Sequence, residues 1–308
     1  MSRRHSMLMT AAATVGGMLA PANTQAVVDE ERRRPLQLGF SLYGMKTLSL
    51  DAAIRTCAEI GYSNVELCLN AGYPTEPRVL TGEQRLSCVE LLKSTDLSVP
   101  CLMIHLSLTA DDATHKKNLG IITTAGELSH QLGQSQPPFL ETVLGGSPEK
   151  WDQQKAGMLR QLRDWAATAQ AAGTMLALKA HVGSAVNSPE RLNWLIDHAD
   201  SASLCVAFDF SHFELQGMDL ESSLDALLPR TKFIHVKDTA GDAGKFQFLL
   251  PGEGRTDYVS YFGLLKARHY SGPVCVEVSG QISNQPDYDP VKAAKQSFDV
   301  LSDAMEKS

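Results

Sequence analysis

From residue 36 onward, short apolar runs alternate with longer segments in which apolar residues recur every three or four positions. The short runs cover residues 37–42, 64–69, 100–106, 139–144, 175–181, 204–210, 232–237 and 273–279. None alternates strictly between apolar and polar, which is the pattern of strands covered on both faces. The longer segments predict helices over 50–60, 82–94, 115–132, 148–172, 219–228 and 257–268, one opening at Ser188-Pro189-Glu190, and one from Asp289-Pro290 to about Met305. Gly61 and Gly173 follow the last periodic residues of two of them, as helix C-termini require. Ser188 fits an N-cap with Pro189 in the first helical position. Eight strand–helix pairs imply a parallel sheet, and within one chain of this length they predict a single α/β domain closed as a (β/α)8 TIM barrel. An open doubly wound sheet is the competing architecture. No Gly-x-Gly-x-x-Gly follows the first run, which weakens it.

The segment before the barrel pattern reads differently. Arg3 and Arg4 precede a mostly small, apolar stretch from Met9 to Ala20, then Pro21 and small residues to Ala26. A positive start, a modest apolar stretch and small residues near a cleavage point describe an export signal, and the paired arginines match the twin-arginine type. The expected organisation is a removable signal over 1–26, cut after Ala22 or Ala26, a linker over 27–35 and the barrel over 36–308. Removing 26 residues leaves 282 and moves the net charge from −7 to −9. The expected location is the periplasm or outside the cell, with no membrane anchor after cleavage.

Composition narrows the function classes. The chain of 308 residues is 43% hydrophobic with a net charge of −7. That is not a disordered composition, and an acidic balance argues against a general nucleic-acid binder. Cys68, Cys101, Cys205 and Cys275 lie in the strand-like runs, while Cys57 and Cys88 lie in helical patterns. The scatter fits buried small hydrophobes better than a disulfide framework, although a Cys68–Cys101 bridge is conceivable.

In a barrel, chemistry sits at the C-terminal ends of the strands. There the last four runs carry charges that an apolar strand has no structural reason to hold: Lys179, Asp209, His235 and Glu277. A buried charge is costly unless it is paired or bound to a metal. Two carboxylates and an imidazole suit Mn²⁺, Mg²⁺, Co²⁺ or Zn²⁺. Structural ion pairs capping the barrel, such as Lys179–Glu277, are the alternative. His105, His181 and His212 fall near other strand ends as candidate substrate contacts, as do Glu66, Glu141 and Arg255. Lys237 and Asp238 could pair with each other or with neighbouring loops. Tyr43, Phe246 and Phe248 could form an apolar wall for a sugar ring.

Asp209-Phe210-Ser211-His212, His235-Val236-Lys237-Asp238, Pro251-Gly252-Glu253-Gly254 and Gly272-Pro273-Val274-Cys275-Val276-Glu277 occur in that order. Over residues 36 to about 300 the chain resembles the sugar phosphate isomerase/epimerase family of xylose-isomerase-like barrels, related also to endonuclease IV. The resemblance implies one divalent metal held by Asp209, His235 and Glu277, with a fourth carboxylate ligand at the position of Lys179. A lysine cannot serve as that ligand, so water, Glu141 or Glu66 would have to complete the set. It further implies metal-assisted proton transfer beside a sugar carbonyl, with Glu277 and Lys179 as catalytic groups; Lys179 reads either as an acid/base that burial and a nearby cation make a neutral amine, or as a fixed cation that replaces the metal and binds an acidic or keto-sugar substrate. The expected substrate is a small sugar or keto-sugar. A keto-sugar lyase or hydrolase and a non-catalytic sugar-binding barrel are the alternative functions. Self-association into a homo-oligomer stays open, and abasic-DNA repair is disfavoured because it needs more metal ligands.

Overall fold

The computed structural model describes residues 36–308 apart from Gly133. The expected export signal and linker lie outside the described residues. The strands are β1 (Gln37–Ser41), β2 (Asn64–Cys68), β3 (Cys101–Met103), β4 (Phe139–Val143), β5 (Leu176–Lys179), β6 (Leu204–Asp209), β7 (Thr231–Val236), β8 (Asp238–Asp242), β9 (Lys245–Leu249) and β10 (Pro273–Val276). β1 to β7 and β10 pair in parallel around a closed barrel, with β10 completing the ring between β7 and β1. This is the single (β/α)8 TIM barrel that the alternation predicts.

Each strand sorts its side chains by the two-residue period of the pleat. Leu38, Phe40, Val65, Leu67, Leu102, Leu140, Leu178, Phe208, Ile234 and Val274 are buried in one large cluster with the surrounding helices. Cys101, Ala177, Cys205, Ala207, Phe233 and Cys275 form a second cluster, the small-residue plug of the barrel interior. All six cysteines are free and buried, so Cys68 and Cys101 form no bridge. Cys101, Cys205 and Cys275 act as compact apolar fillers where the barrel is narrow. One step further along the same inward rows stand Glu66, Glu141, Lys179, Asp209, His235 and Glu277, all buried. The apolar plug therefore gives way to a charged layer at the C-terminal mouth.

The helices follow the periodic segments closely. Ser49 accepts the backbone N–H of Ala52 at the start of α1 (Leu50–Ile60), and Gly61 ends it at φ 112°. Thr81 and Gln84 make a reciprocal capping box at α2 (Gly82–Ser94). The helix expected from residue 115 begins earlier, as α3 (Asp112–Gln131), because Asp111 caps it through the Thr114 N–H. The segment 148–172 divides into a single 3-10 turn at Pro148–Lys150 and α4 (Trp151–Ala171). α5 (Pro189–Ala199), α7 (Leu220–Leu227), α8 (Tyr258–Ala267) and α10 (Pro290–Lys307) complete the ring, with short α6 (Ser211–Glu214) and α9 (Gly280–Ser283) at the mouth. Among the described residues, no helix is long and apolar enough to cross a membrane.

The hairpin β8–β9 falls between the run predicted over 232–237 and the helix predicted over 257–268 and has no counterpart among the predicted elements. It leaves the barrel directly after β7 and folds back antiparallel, with Gly241 in β8 at φ 86° opposite Phe246. A side chain at Gly241 would strike the Lys245 carbonyl oxygen. Its base is pinned by Asp238, which is fully buried. Asp238 Oδ2 accepts the N–H groups of Gly252 (2.7 Å) and Gly254 (3.0 Å), and Oδ1 accepts that of Thr256 (3.0 Å). Replacing Asp238 by Ala removes three hydrogen bonds from backbone donors to one carboxylate, and a hydrogen bond to a charged group contributes about 1.5–3 kcal/mol. Asp238→Ala is therefore expected to lower the unfolding free energy by about 3 kcal/mol or more in urea titration, and a loss below about 1 kcal/mol would contradict this role.

Candidate active site

The charged layer forms one connected network. Lys179, the last residue of β5, places Nζ 3.0 Å from Glu277 Oε1 and 3.1 Å from His235 Nδ1. Glu141 Oε1 on β4 lies 3.1 Å from the same ammonium. Lys237, two residues beyond His235, donates to both Asp209 Oδ2 and Glu277 Oε2. The Glu277 carboxylate is thus held on each oxygen by a different lysine. Asp209 Oδ1 accepts from the Ser211 hydroxyl at 2.6 Å and its backbone N–H at 3.2 Å. His212 Nε2 stands 3.4 Å from Asp209 Oδ2.

Register brings these groups together. Asp209 and His235 are direct partners across β6 and β7, Cys275 pairs with His235 across β7 and β10, and Ser41 pairs with Glu66 across β1 and β2. Glu66 Oε2 accepts from Ser41 Oγ at 2.5 Å and lies 2.9 Å from His235 Nε2. The Lys179 ammonium can only donate, so Nδ1 accepts from it and Nε2 carries the ring hydrogen toward Glu66. Glu66 therefore sets the orientation of His235 from below.

Above this layer opens a cavity of about 380 Å³. Its charged floor is Lys179, Lys237 and Glu277, and its walls include Tyr43, His105, His181, His212, Phe248 and Ser279. The hairpin supplies Phe248, whose ring is 5.2 Å from that of His212 and 5.0 Å from Lys237 Nζ. The rings of His181 and His212 are 4.1 Å apart. Three predicted substrate contacts, His105, His181 and His212, thus share one chamber. Glu66, Glu141 and Arg255 do not line it. Glu66 and Glu141 are fully buried beneath the floor, and Arg255 lies outside, near Glu214. Tyr43 and Phe248 form the aromatic wall, and Phe246 packs behind Phe248.

Burial and neighbouring charge set the protonation states. Burial alone would push the Lys179 ammonium down, but Glu141 and Glu277 outweigh it and hold it well above the usual lysine range. The neutral amine that the family comparison allowed is therefore corrected: desolvation loses to two adjacent carboxyl groups. Burial would raise Glu277 as well, and Lys179 and Lys237 reverse the effect and keep it ionised. Asp209 is likewise held well below its usual range, chiefly by Lys237 acting against burial. Burial lowers His105 and His212, and lowers His181 to about 2 with His212 next to it. The chamber thus presents neutral imidazoles around an ionised carboxylate.

Lys237 is the member of the cluster that the sequence reading missed. Its signal was present: it follows His235 by two on one strand and so shares its inward face. The expectation that Lys237 pairs with Asp238 or with neighbouring loops gives way, because the Asp238 carboxylate binds backbone and Lys237 turns to Asp209 and Glu277.

Metal-ligand groups do converge. Single ligand atoms of Asp209, His235 and Glu277 lie within 4.8 Å of one another, as do those of Glu66, His235 and Cys275. The first set is nevertheless already engaged. Lys179 takes His235 Nδ1 and one oxygen of Glu277, and Lys237 takes the other oxygen and Asp209. Asp209 and His235 lie behind the two lysines and do not line the cavity. A divalent ion bound at about 2.1 Å needs those lone pairs free, so the residues as arranged do not fit one.

A parallel barrel with a buried ionic site at its C-terminal mouth defines the class. The chain belongs to the xylose isomerase-like TIM barrel family, whose description matches residues 54–304. Inosose dehydratase of Clostridium perfringens is 26% identical over 192 residues, 56% of this chain and 63% of that protein. The chain thus spans less than two thirds of that relative. L-ribulose-5-phosphate 3-epimerase UlaE of Shigella flexneri is 24% identical over 250 residues, 78% of this chain and 86% of that protein. The IolI protein, solved with a bound zinc atom, superposes with a TM-score of 0.71 at 19% identity, over 87% of this chain and 99% of that one. Relatives of this chain thus include sugar epimerases and inosose dehydratases.

Glu141 makes a pH-dependent contribution that can be measured. Burial pushes its carboxyl up from 4.5 to about 7, even against Lys179. Between those values the native state keeps the proton and the unfolded chain releases it, so stability falls as pH rises through that window. Glu141→Gln stays neutral and is expected to flatten the decline of Tm between pH 5 and 7. A decline as steep as in the parent protein would remove the assignment.

Proposed function

We propose that the protein is an enzyme that moves a proton on the carbon next to the carbonyl of a ketose, keto-sugar or cyclic keto-polyol. The observation that carries this reading is the ionised Glu277 carboxylate on the floor of a sugar-sized chamber, flanked by two lysines and faced by neutral imidazoles. Lys237 has three N–H groups, of which Asp209 and Glu277 take two. The third is available to the substrate carbonyl oxygen. Glu277 accepts the proton from the adjacent carbon while the electron pair moves onto that oxygen, giving an enediol-like species beside the ammonium. Return of the proton to the opposite face gives an epimer, and return to the neighbouring carbon gives an isomer. Departure of a hydroxyl from the next carbon, taking the proton that Glu277 has just accepted, gives a dehydrated product and water and restores the Glu277 carboxylate. Phe248 and Tyr43 supply an apolar surface for the sugar ring.

Names among the relatives support this first step, because epimerisation and dehydration of a keto-sugar or keto-polyol both begin with it. The divalent ion implied by the resemblance would polarise the same carbonyl when bound, but Mn²⁺, Mg²⁺, Co²⁺ or Zn²⁺ could enter only after Lys179 leaves. The leader-like N-terminus supports action outside the cytoplasm, and with it an unphosphorylated sugar. Residues 1–35 fused to a folded reporter test this part, and a reporter retained in the cytoplasm would remove it.

The test of the reaction is a panel of ketoses, keto-glycosides and inososes incubated in D₂O and read by NMR. Solvent deuterium is expected at the carbon next to the carbonyl, and a general base contributes typically 10²–10⁴-fold. Glu277→Gln is therefore expected to lower turnover about 100-fold or more with a smaller change in KM. Ligand-induced thermal stabilisation with no deuterium in any bound compound would instead identify a non-catalytic sugar-binding barrel.

A further inference from the structure

We infer that the Lys179 ammonium stands in the place of the divalent ion, so that the mouth of this barrel is organised by a side-chain cation and takes up no metal. The position is the one where the family resemblance puts a fourth carboxylate ligand. Lys179 Nζ lies at ordinary hydrogen-bonding distance from His235 Nδ1 (3.1 Å) and Glu277 Oε1 (3.0 Å), with Glu141 Oε1 at 3.1 Å. Two of the three family ligands thus face a single cation, as they would face an ion. The third, Asp209, has one oxygen on Ser211 and the other on Lys237. His235 has no nitrogen left, because Nε2 is turned to Glu66.

Charge gives an independent argument. Exchanging a glutamate for a lysine at one position changes the local charge by two units, which is the charge of the ion it would replace. Asp209 and Glu277 are buried around this point as carboxylates and need positive charge beside them. Lys179 and Lys237 supply it from within the chain. An added divalent ion would sit against two ammonium groups and find no free lone pair on its nearest donors. Lys179 is accordingly a positioning residue. It fixes Glu277 and His235 from the floor that it shares with Lys237.

This inference holds whether or not the proton-transfer reading does, and its test does not use turnover. The full chain, purified without chelator, is analysed for metal and melted in EDTA, in MnCl₂ and in ZnCl₂. Less than about a tenth of an equivalent of metal and a Tm unchanged by either addition are expected. Half an equivalent or more, lost to EDTA together with a fall in Tm, would overturn the inference. Lys179→Glu is the second arm. It is expected to bind about one equivalent of Mn²⁺ or Zn²⁺ by calorimetry and to melt at least about 5 °C higher with the metal present, the shift that saturating a folded-state site brings. Folded Lys179→Glu protein that binds neither ion would also overturn it. Should Lys179→Glu fail to fold, Lys179→Met removes the cation without adding a charge, and the same comparison decides. A metal-dependent rise in Tm supports the inference, and no response sinks it.

Discussion

One carboxylate organises the mouth of this barrel. Glu277 is buried, ionised, and held by Lys179 on one oxygen and Lys237 on the other. A buried carboxylate with no partner would be severely destabilising, and so would either lysine alone. Together they are tolerable only if each keeps its neighbours. Asp209 must therefore stay with Lys237, His235 with Lys179, and Glu66 with His235. The closed strand register lets six residues on five strands and their C-terminal ends satisfy one another within hydrogen-bonding distance.

The interior changes character along the barrel axis for a physical reason. The lower layers hold cysteine, alanine and one phenylalanine, because inward side chains from all eight strands crowd a narrow space. With no room there for water or large polar groups, the ionic groups are confined to the widening end. The hairpin β8–β9 then covers one side of that end with Phe248. It lowers the local exposure of Lys237 and His212, which keeps the imidazole neutral and the ion pairs dry.

The same arrangement separates two tasks that a metal ion would combine. Both lysines stand on the cavity floor, but Lys179 is spent on Glu277 and His235, while Lys237 has a hydrogen to spare. A hydrogen-bond donor polarises a carbonyl less strongly than a divalent ion does, but its position is fixed by the chain. The neutral imidazoles above the floor add donors and acceptors without adding charge.

Period and punctuation in the sequence were enough for the barrel. Apolar runs at the eight strand positions, Gly61 and Gly173 after helices, and Ser188 with Pro189 act locally, within a turn or two of chain. Charges inside apolar runs marked Lys179, Asp209, His235 and Glu277 for the same reason: an ionisable group in a strand is costly wherever the strand packs. Their partners were not legible. That Glu141 and Glu66 lie beneath the floor, that Arg255 points elsewhere and that Lys237 joins the cluster depend on barrel register and on side-chain reach between strands distant in sequence. So does the protonation state of Lys179. Burial alone argues for a neutral amine, and only the positions of Glu141 and Glu277 across the barrel make it a cation. The sequence by itself determined which residues would carry charge into the barrel; the tertiary structure decided their pairing, because pairing is a matter of ångströms between strands and not of spacing along one.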